Sequence, residues 1–287
     1  MCDETTENEN HDYLLKRREF GKLTLAAGIT TLIPQAANAM AVTESEEEVP
    51  MAQGVSDCYF VRPSKGKHPA ILMWPDIKGL RPAYRTMGKR LAEAGYSVLV
   101  VNPFYRDAKA PVVGPDTSFS DPETRAFLFG MARKLDQTNA MSDASDYIRF
   151  LDEQASVDTN RKIGTAGYCM GGPLIMRTAA AVPERVGAAA SFHGGGLATD
   201  KHDSPHLLIP KSPAHVLHAM AENDDAKAPH VKDILKAAYK EAGVTAEITV
   251  YKDTMHGWCA LDSTVYHHAQ AEHAWARMLA LFESALV

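Results

Sequence analysis

Residues 162–181 read KIGTAGYCMGGPLIMRTAAA, and this stretch decides the fold. A short apolar run ending at Tyr168 meets a helical run from Pro173 to Ala181, with Gly167, Cys169, Met170, Gly171 and Gly172 at the junction. The spacing is G-x-nucleophile-x-G, which seats a reactive side chain on a sharp, strained turn between a strand and a helix. Side chains two residues to either side would collide with neighbouring backbone, so Gly167 and Gly171 follow from the turn itself. A helix starting at about Met170 aims its free amides and positive end at the Cys169 sulfur, which favours thiolate. A dinucleotide site needs G-x-G-x-x-G, and Gly164, Gly167 and Gly171 do not supply that spacing.

Outward from this elbow, short apolar runs alternate with longer helical ones. Strands are expected at Ala70–Trp74, Ser97–Asn102, Lys162–Tyr168, Val186–Phe192, His215–Ala219 and Glu247–Tyr251. Helices are expected at Ala83–Ala94, Ser142–Gln154, Pro173–Ala181, His230–Ala242 and Gln270–Leu286. Continuous apolar strands alternating with helices predict a mostly parallel α/β sheet covered on both faces. There is no internal repeat. The longest irregular piece, Tyr105–Pro122, has the length of a lid or binding loop.

Composition narrows the function. With 287 residues, 45% hydrophobic and 23% charged, the chain is too apolar for disorder, and its 4 Cys are too few for a disulfide scaffold. Its net charge of −6 argues against nucleic acid or an anionic membrane as the main partner. No run reaches the roughly 18 apolar residues of a membrane span.

The amino end reads as an export signal over residues 1–39. Lys16-Arg17-Arg18-Glu19-Phe20 is followed by an apolar run to Ile33 and by Ala37-Asn38-Ala39, a small-x-small cleavage site. The arginine pair resembles the twin-arginine type, which implies contact with that translocation machinery and a periplasmic or secreted protein. Residues 40–51, with Thr43–Pro50 reading TESEEEVP, are expected as an acidic linker, and 52–287 as the enzyme domain. Removing the leader takes Cys2 with it. Cys58, Cys169 and Cys259 stay, an odd number that implies a free thiol. No structural disulfide is expected, with Cys169 the most reactive thiol and Cys58 inert.

A nucleophile needs a base, and the base needs an orienting group. His256 lies after the last expected strand and before the closing helix, where the order nucleophile, acid, His places the base. His215 and His218 alternate with apolar residues in a strand and read as core histidines. His202, His206, His267, His268 and His273 share no metal-ligand spacing and read as solvated, so no metal is expected. The acid should follow the strand at His215–Ala219, where Asp224 and Asp225 are both candidates, Asp224 fitting better.

Cys169 in G-Y-C-M-G-G, Asp224 after a strand and His256 in H-G-W resemble the dienelactone hydrolase family. The resemblance covers roughly residues 52–287 and implies an α/β-hydrolase fold, a Cys-His-Asp triad and no cofactor or metal. It implies cleavage of small enol-lactones or related esters through an acyl-enzyme. Thioesterase or broad carboxylesterase activity in the same fold, or a non-catalytic thiol redox or ligand-binding protein, are the alternatives. Trp74-Pro75-Asp76-Ile77-Lys78-Gly79 is similar to the family's segment after its first core strand, which places the oxyanion hole at the Ile77 and Met170 amides. Where the family has a Glu that meets the resting thiol, this chain has Asp76, one methylene shorter. Where well-known members hold a substrate carboxylate with an Arg four residues after the His, this chain has Ala260. Arg81, Arg85 and Arg125 are the candidates to replace it. Trp74, Phe104, His193 and Trp258 are expected as pocket walls.

Overall fold

The computed structural model describes residues 9, 10, 12–14, 39–115 and 117–287. Eight strands form one sheet in the order β1-β2-β4-β3-β5-β6-β7-β8. They are β1 (Val42–Met51), β2 (Gly54–Pro63), β3 (Ala70–Trp74), β4 (Ser97–Val100), β5 (Ile163–Tyr168), β6 (Val186–Phe192), β7 (His215–Ala221) and β8 (Ala246–Tyr251). β1 and β2 join antiparallel, and β3 to β8 run parallel. The helices are α1 (Pro82–Glu93), α2 (Pro122–Ala132), α3 (Gln137–Asp152), α4 (Gly171–Ala181), α5 (Glu222–Lys227), α6 (His230–Ala242) and α7 (His268–Ala285). This is an α/β fold with a mostly parallel sheet between two layers of helices.

Strand periodicity divides the core in two. Leu72 and Trp74 of β3 point to the face covered by α3, α4 and α6, where Tyr147, Leu174 and Leu235 pack. Ile71 and Met73 point the other way, onto Tyr84 and Leu91 of α1 and Met278 and Phe282 of α7. At the centre of the sheet both faces are buried, so a strand such as β3 reads as continuously apolar although its side chains alternate.

The acidic stretch expected as a linker is corrected by the structure. Residues 42–51 form the edge strand β1, paired residue for residue with β2 from Val42↔Pro63 to Met51↔Gly54. Its glutamates are solvated, as their charge demands, but they alternate along a strand and reach cations next to it. Glu44 meets Lys89 at 2.7 Å, Glu46 pairs with Arg85, and Glu48 meets Lys109 at 3.0 Å. A charged edge also discourages pairing with another chain. Two helix starts lie outside the expected bounds. Asp121 accepts from the Thr124 amide and starts α2 inside the region expected as irregular, and Asp136 accepts from Asn139, starting α3 five residues early. The arginine pair and the apolar run after it lie outside the described residues. Among those described, no helix is long and apolar enough to cross a membrane.

His218, on β7, is fully buried, and its Nε2 lies 2.9 Å from the Tyr239 hydroxyl. Burial pushes its pKa down to about 3. The unfolded chain takes up a proton near pH 6.5 that the folded chain refuses. Stability from this group is therefore complete above 6.5 and is lost as pH falls toward 3, at about 1.4 kcal/mol per unit. Between pH 7 and pH 5 the wild-type protein should lose about 2 kcal/mol more in urea unfolding than His218→Gln. Equal losses in the two proteins would overturn this assignment.

Candidate active site

The carboxyl ends of the parallel strands converge on one place. Asp76 and Ile77 follow β3, Cys169 follows β5, His193 follows β6, Asp224 follows β7 and His256 follows β8. The chain steps from β3 to β4 on one side and then returns to β5 on the other, so the crevice opens at this switch of direction. Cys169 is 5% exposed and holds a left-handed backbone, φ 53°, as the elbow requires. Its carbonyl accepts from the Gly172 amide at 3.0 Å, at the first turn of α4.

His256 is buried, and its Nδ1 lies 2.7 Å from Asp224 Oδ2. Of the two candidate acids, Asp225 is taken by Lys232 at 2.7 Å. Of the two, Asp224 is the one that meets His256. Burial opposes a charged imidazole at His256, but the charges of Cys169 and Asp224 and the hydrogen bond to Asp224 outweigh it and lift the pKa to about 10. Burial likewise opposes the Asp224 carboxylate, yet the His256 charge and hydrogen bond hold its pKa below the ordinary value. The His256 amide donates to Asn223 Oδ1 at 2.9 Å, which ties the His256 backbone to the turn that carries Asp224. Asn223 was not among the sequence candidates, although its place beside the acid is the kind of signal that marks a positioning group.

Two cavities of about 330 Å³ each meet at Cys169 and Ile77. One is mainly apolar and runs along α4 between Phe129, Leu135, Met170 and Leu174. Half-buried Arg177 lies in its wall and donates to the Leu135 carbonyl at 2.7 Å; burial pushes its pKa below the usual arginine value. The sequence reading missed Arg177, because nothing in a helical run marks which residue faces a cavity. The other cavity is polar, lined by Asp76, Arg81, His193 and His256, with Asn10 at its edge. Asn10 Nδ2 donates to the His256 carbonyl at 3.4 Å, and Glu9 meets Lys227 at 2.9 Å.

Several expected roles change place. Arg81 grips both oxygens of Asp76 and both of Asp262, so its guanidinium is already occupied by carboxylates. Burial works against charge on Asp76, but Arg81 and the Lys78 amide keep its pKa below the ordinary carboxylate range. Arg85 pairs with Glu46 on the edge hairpin and stacks on Tyr59, and Arg125 donates to the Ser120 carbonyl, away from both cavities. Trp74 is fully buried behind the site, its Nε1 donating to Thr178 at 3.0 Å and its ring against Tyr147. Trp258 is also core, tilted against Tyr251 with ring centres 4.7 Å apart, and Phe104 is buried beneath Gly79. Their apolar bulk went to packing, and of the four expected walls only His193 faces a cavity. Among the described residues no group of three His, Cys, Asp or Glu could hold a metal.

The dienelactone hydrolase family model matches residues 56–286. The chain belongs to the dienelactone hydrolase family. It is a hydrolase of the α/β-hydrolase superfamily, acting on carboxylic esters. It is 26% identical over 251 residues to the carboxymethylenebutenolidase of Rhodococcus opacus, covering 84% of this chain and 88% of that one. A protein of Escherichia coli strain K12 is 28% identical over 235 residues, covering 78% and 81%. A crystal structure from Klebsiella pneumoniae superposes with a TM-score of 0.74 over 85% of this chain and 99% of that one; at 24% identity it bears on the fold.

Proposed function

We propose that this hydrolase opens a small lactone or ester of the dienelactone type through a Cys169 thiolate, with His256 and Asp224 completing the triad. The observation that carries the reading is the His256–Asp224 contact at 2.7 Å behind a cysteine held in the left-handed elbow. The Cys169 charge is among the causes that lift the His256 pKa, which supports a thiolate–imidazolium pair at rest, with the nucleophile charged before substrate arrives. Among the described residues neither the Ile77 nor the Met170 amide donates to a protein acceptor, which leaves both to an oxyanion. Each fixed donor contributes about 3–4 kcal/mol in well-studied cases. His256 must protonate the departing oxygen and lines the polar cavity, so the leaving group goes there and the acyl arm enters the apolar one. Acylation removes the thiolate charge that raised the His256 pKa. The imidazole then returns toward its ordinary range and serves as base for water. Incubation with a slowly deacylated ester, followed by peptide mass spectrometry, should place the acyl group on Cys169. Turnover with Cys169 unmodified would overturn the reading.

We infer from Arg17-Arg18, the apolar run and Ala37-Asn38-Ala39 that the protein is exported by the twin-arginine machinery. Replacing both arginines with lysine should retain precursor in the cytoplasm. Unchanged appearance of mature protein outside the cytoplasm would refute this route.

A further inference from the structure

We infer that His193 is the positioning residue for the hydrolytic water in deacylation, holding that water against His256. The inference rests on the Cys169 acyl-enzyme proposed above.

His193 has a combination of features that packing alone does not account for. It is 1% exposed, yet neither ring nitrogen has a protein partner, whereas buried polar groups are ordinarily hydrogen-bonded. Its backbone is left-handed, φ 40°, an uncommon and strained conformation for a histidine. The strain is held in place by its own amide, which donates to the Ala219 carbonyl of β7 at 2.8 Å. The ring lies against His256, with centres 5.1 Å apart and planes at 71°, and it lines the same polar cavity as Cys169 and His256. A water bonded to both rings makes its two bonds at a roughly tetrahedral angle, so with bonds of about 2.8 Å it spans nitrogens about 4.6 Å apart. Near-perpendicular rings at this separation can present nitrogens over that span.

The chemistry distinguishes the two half-reactions. In acylation the nucleophile is part of the chain, and the elbow orients it. In deacylation the nucleophile is a water that no covalent bond orients, so its position must come from side chains. His256 Nε2 accepts one of the water's protons as the water oxygen bonds to the thioester carbon. The tetrahedral adduct then breaks the carbon–Sγ bond, the thiolate reforms beside imidazolium, and the acid leaves, releasing its proton to solvent. A base holding one hydrogen leaves the water free to swing about that bond. A second contact to His193 removes this freedom.

For that role His193 must stay uncharged, because a second imidazolium would repel His256 and lose its acceptor nitrogen. Burial and the neighbouring His256 charge together push the His193 pKa down to about 3, outweighing Asp224 and Asp76, which act the other way. The two rings thus take opposite shifts in one cavity. One is built to carry a proton, the other to refuse it.

The test is pre-steady-state hydrolysis of p-nitrophenyl acetate by the full-length protein. In His193→Ala the burst of p-nitrophenol should keep its rate within about threefold, while steady-state turnover falls about 30-fold or more and acetyl-Cys169 accumulates by intact mass. Hydroxylamine, a stronger nucleophile that depends less on a base, should restore much of the turnover. His193→Asn serves as the second variant, since asparagine tolerates a left-handed backbone and keeps a donor and an acceptor; it should recover part of the loss. A parallel fall of burst and steady state in both variants, or steady-state turnover that does not change, would overturn the inference. Failure of the wild-type protein to acylate Cys169 would instead remove the reading beneath it.

Discussion

Cys169→Ala should lose ester hydrolysis by about 10⁴-fold or more while unfolding in urea at nearly the wild-type midpoint. The size follows from what is removed. Without the sulfur there is no acyl-enzyme, and His256, Asp224 and the two free amides retain only their hold on the substrate. In enzymes whose nucleophile, base and acid act as a unit, deleting the nucleophile costs about as much as deleting all three, on the order of 10⁶-fold. The fold should tolerate the change because Cys169 is already in a left-handed conformation fixed by the strand before it and the helix after it, and alanine removes only one buried atom. Cys169→Ser should be poor rather than equivalent. The lifted pKa of His256 depends in part on the charge of Cys169, and a hydroxyl near neutral pH supplies no such charge. In the serine variant the His256 pKa should therefore drop toward its ordinary range, read by NMR titration of the imidazole. A serine enzyme with turnover near wild type, or an unmoved His256, would show that the thiolate–imidazolium pair is not the resting state.

The elbow was legible because its chemistry is local. A strand, a nucleophile between glycines and a helix all lie within one short stretch, and the steric reason for each glycine holds before any tertiary contact is known. The order of strands and helices was legible for a similar reason, since a sheet buried on both faces leaves continuous apolar runs such as Ala70–Trp74. The edge strand was not, because β1 exchanges its backbone hydrogen bonds with β2 while presenting glutamates to water, and such a segment looks like a linker. The site separates along the same line. That His256 would meet an aspartate after β7 was readable from chain order, but which of Asp224 and Asp225 it meets turned on Lys232, seven residues beyond Asp225 on the next helix, which holds Asp225. Arg81 had the right chemistry for a carboxylate and meets carboxylates, but they are Asp76 and Asp262 of its own chain. Arg177, Asn223 and the demotion of Trp74 and Trp258 to core are all matters of which way a side chain faces. One chain's pattern does not encode that at a strand–helix junction.

Gly167→Ala is expected to be the most damaging single methyl group in the molecule. A Cβ there would stand 2.0 Å from the Gly171 carbonyl oxygen, 2.5 Å from its carbon and 2.8 Å from Ile175 Cγ2. The first two are backbone atoms of the first turn of α4, so no rotamer change relieves the clash; strand and helix must separate. Gly171 cannot give way, since it is itself wedged against the Trp74 and Pro75 carbonyls, where a Cβ on Gly171 would meet oxygens at 2.5 and 2.9 Å. The displacement therefore passes to Cys169 and Met170 between them. Overpacking in a confined core typically costs about 1–3 kcal/mol, and a backbone obstruction on both sides should exceed that, at about 4 kcal/mol. Activity should suffer more than stability, because a shift of about 1 Å at the sulfur and the Met170 amide alone can cost about 10²-fold. Gly243 provides the contrast. It caps α6 with φ 67°, and a Cβ added there would meet nothing within 4 Å. Gly243→Ala should therefore cost only about 1 kcal/mol, from backbone strain, with turnover intact. Urea unfolding and ester hydrolysis on the two variants separate a crowded turn from a merely left-handed one. If Gly167→Ala were no more harmful than Gly243→Ala, the close approach of β5 and α4, and with it the geometry assigned to the nucleophile, would be wrong.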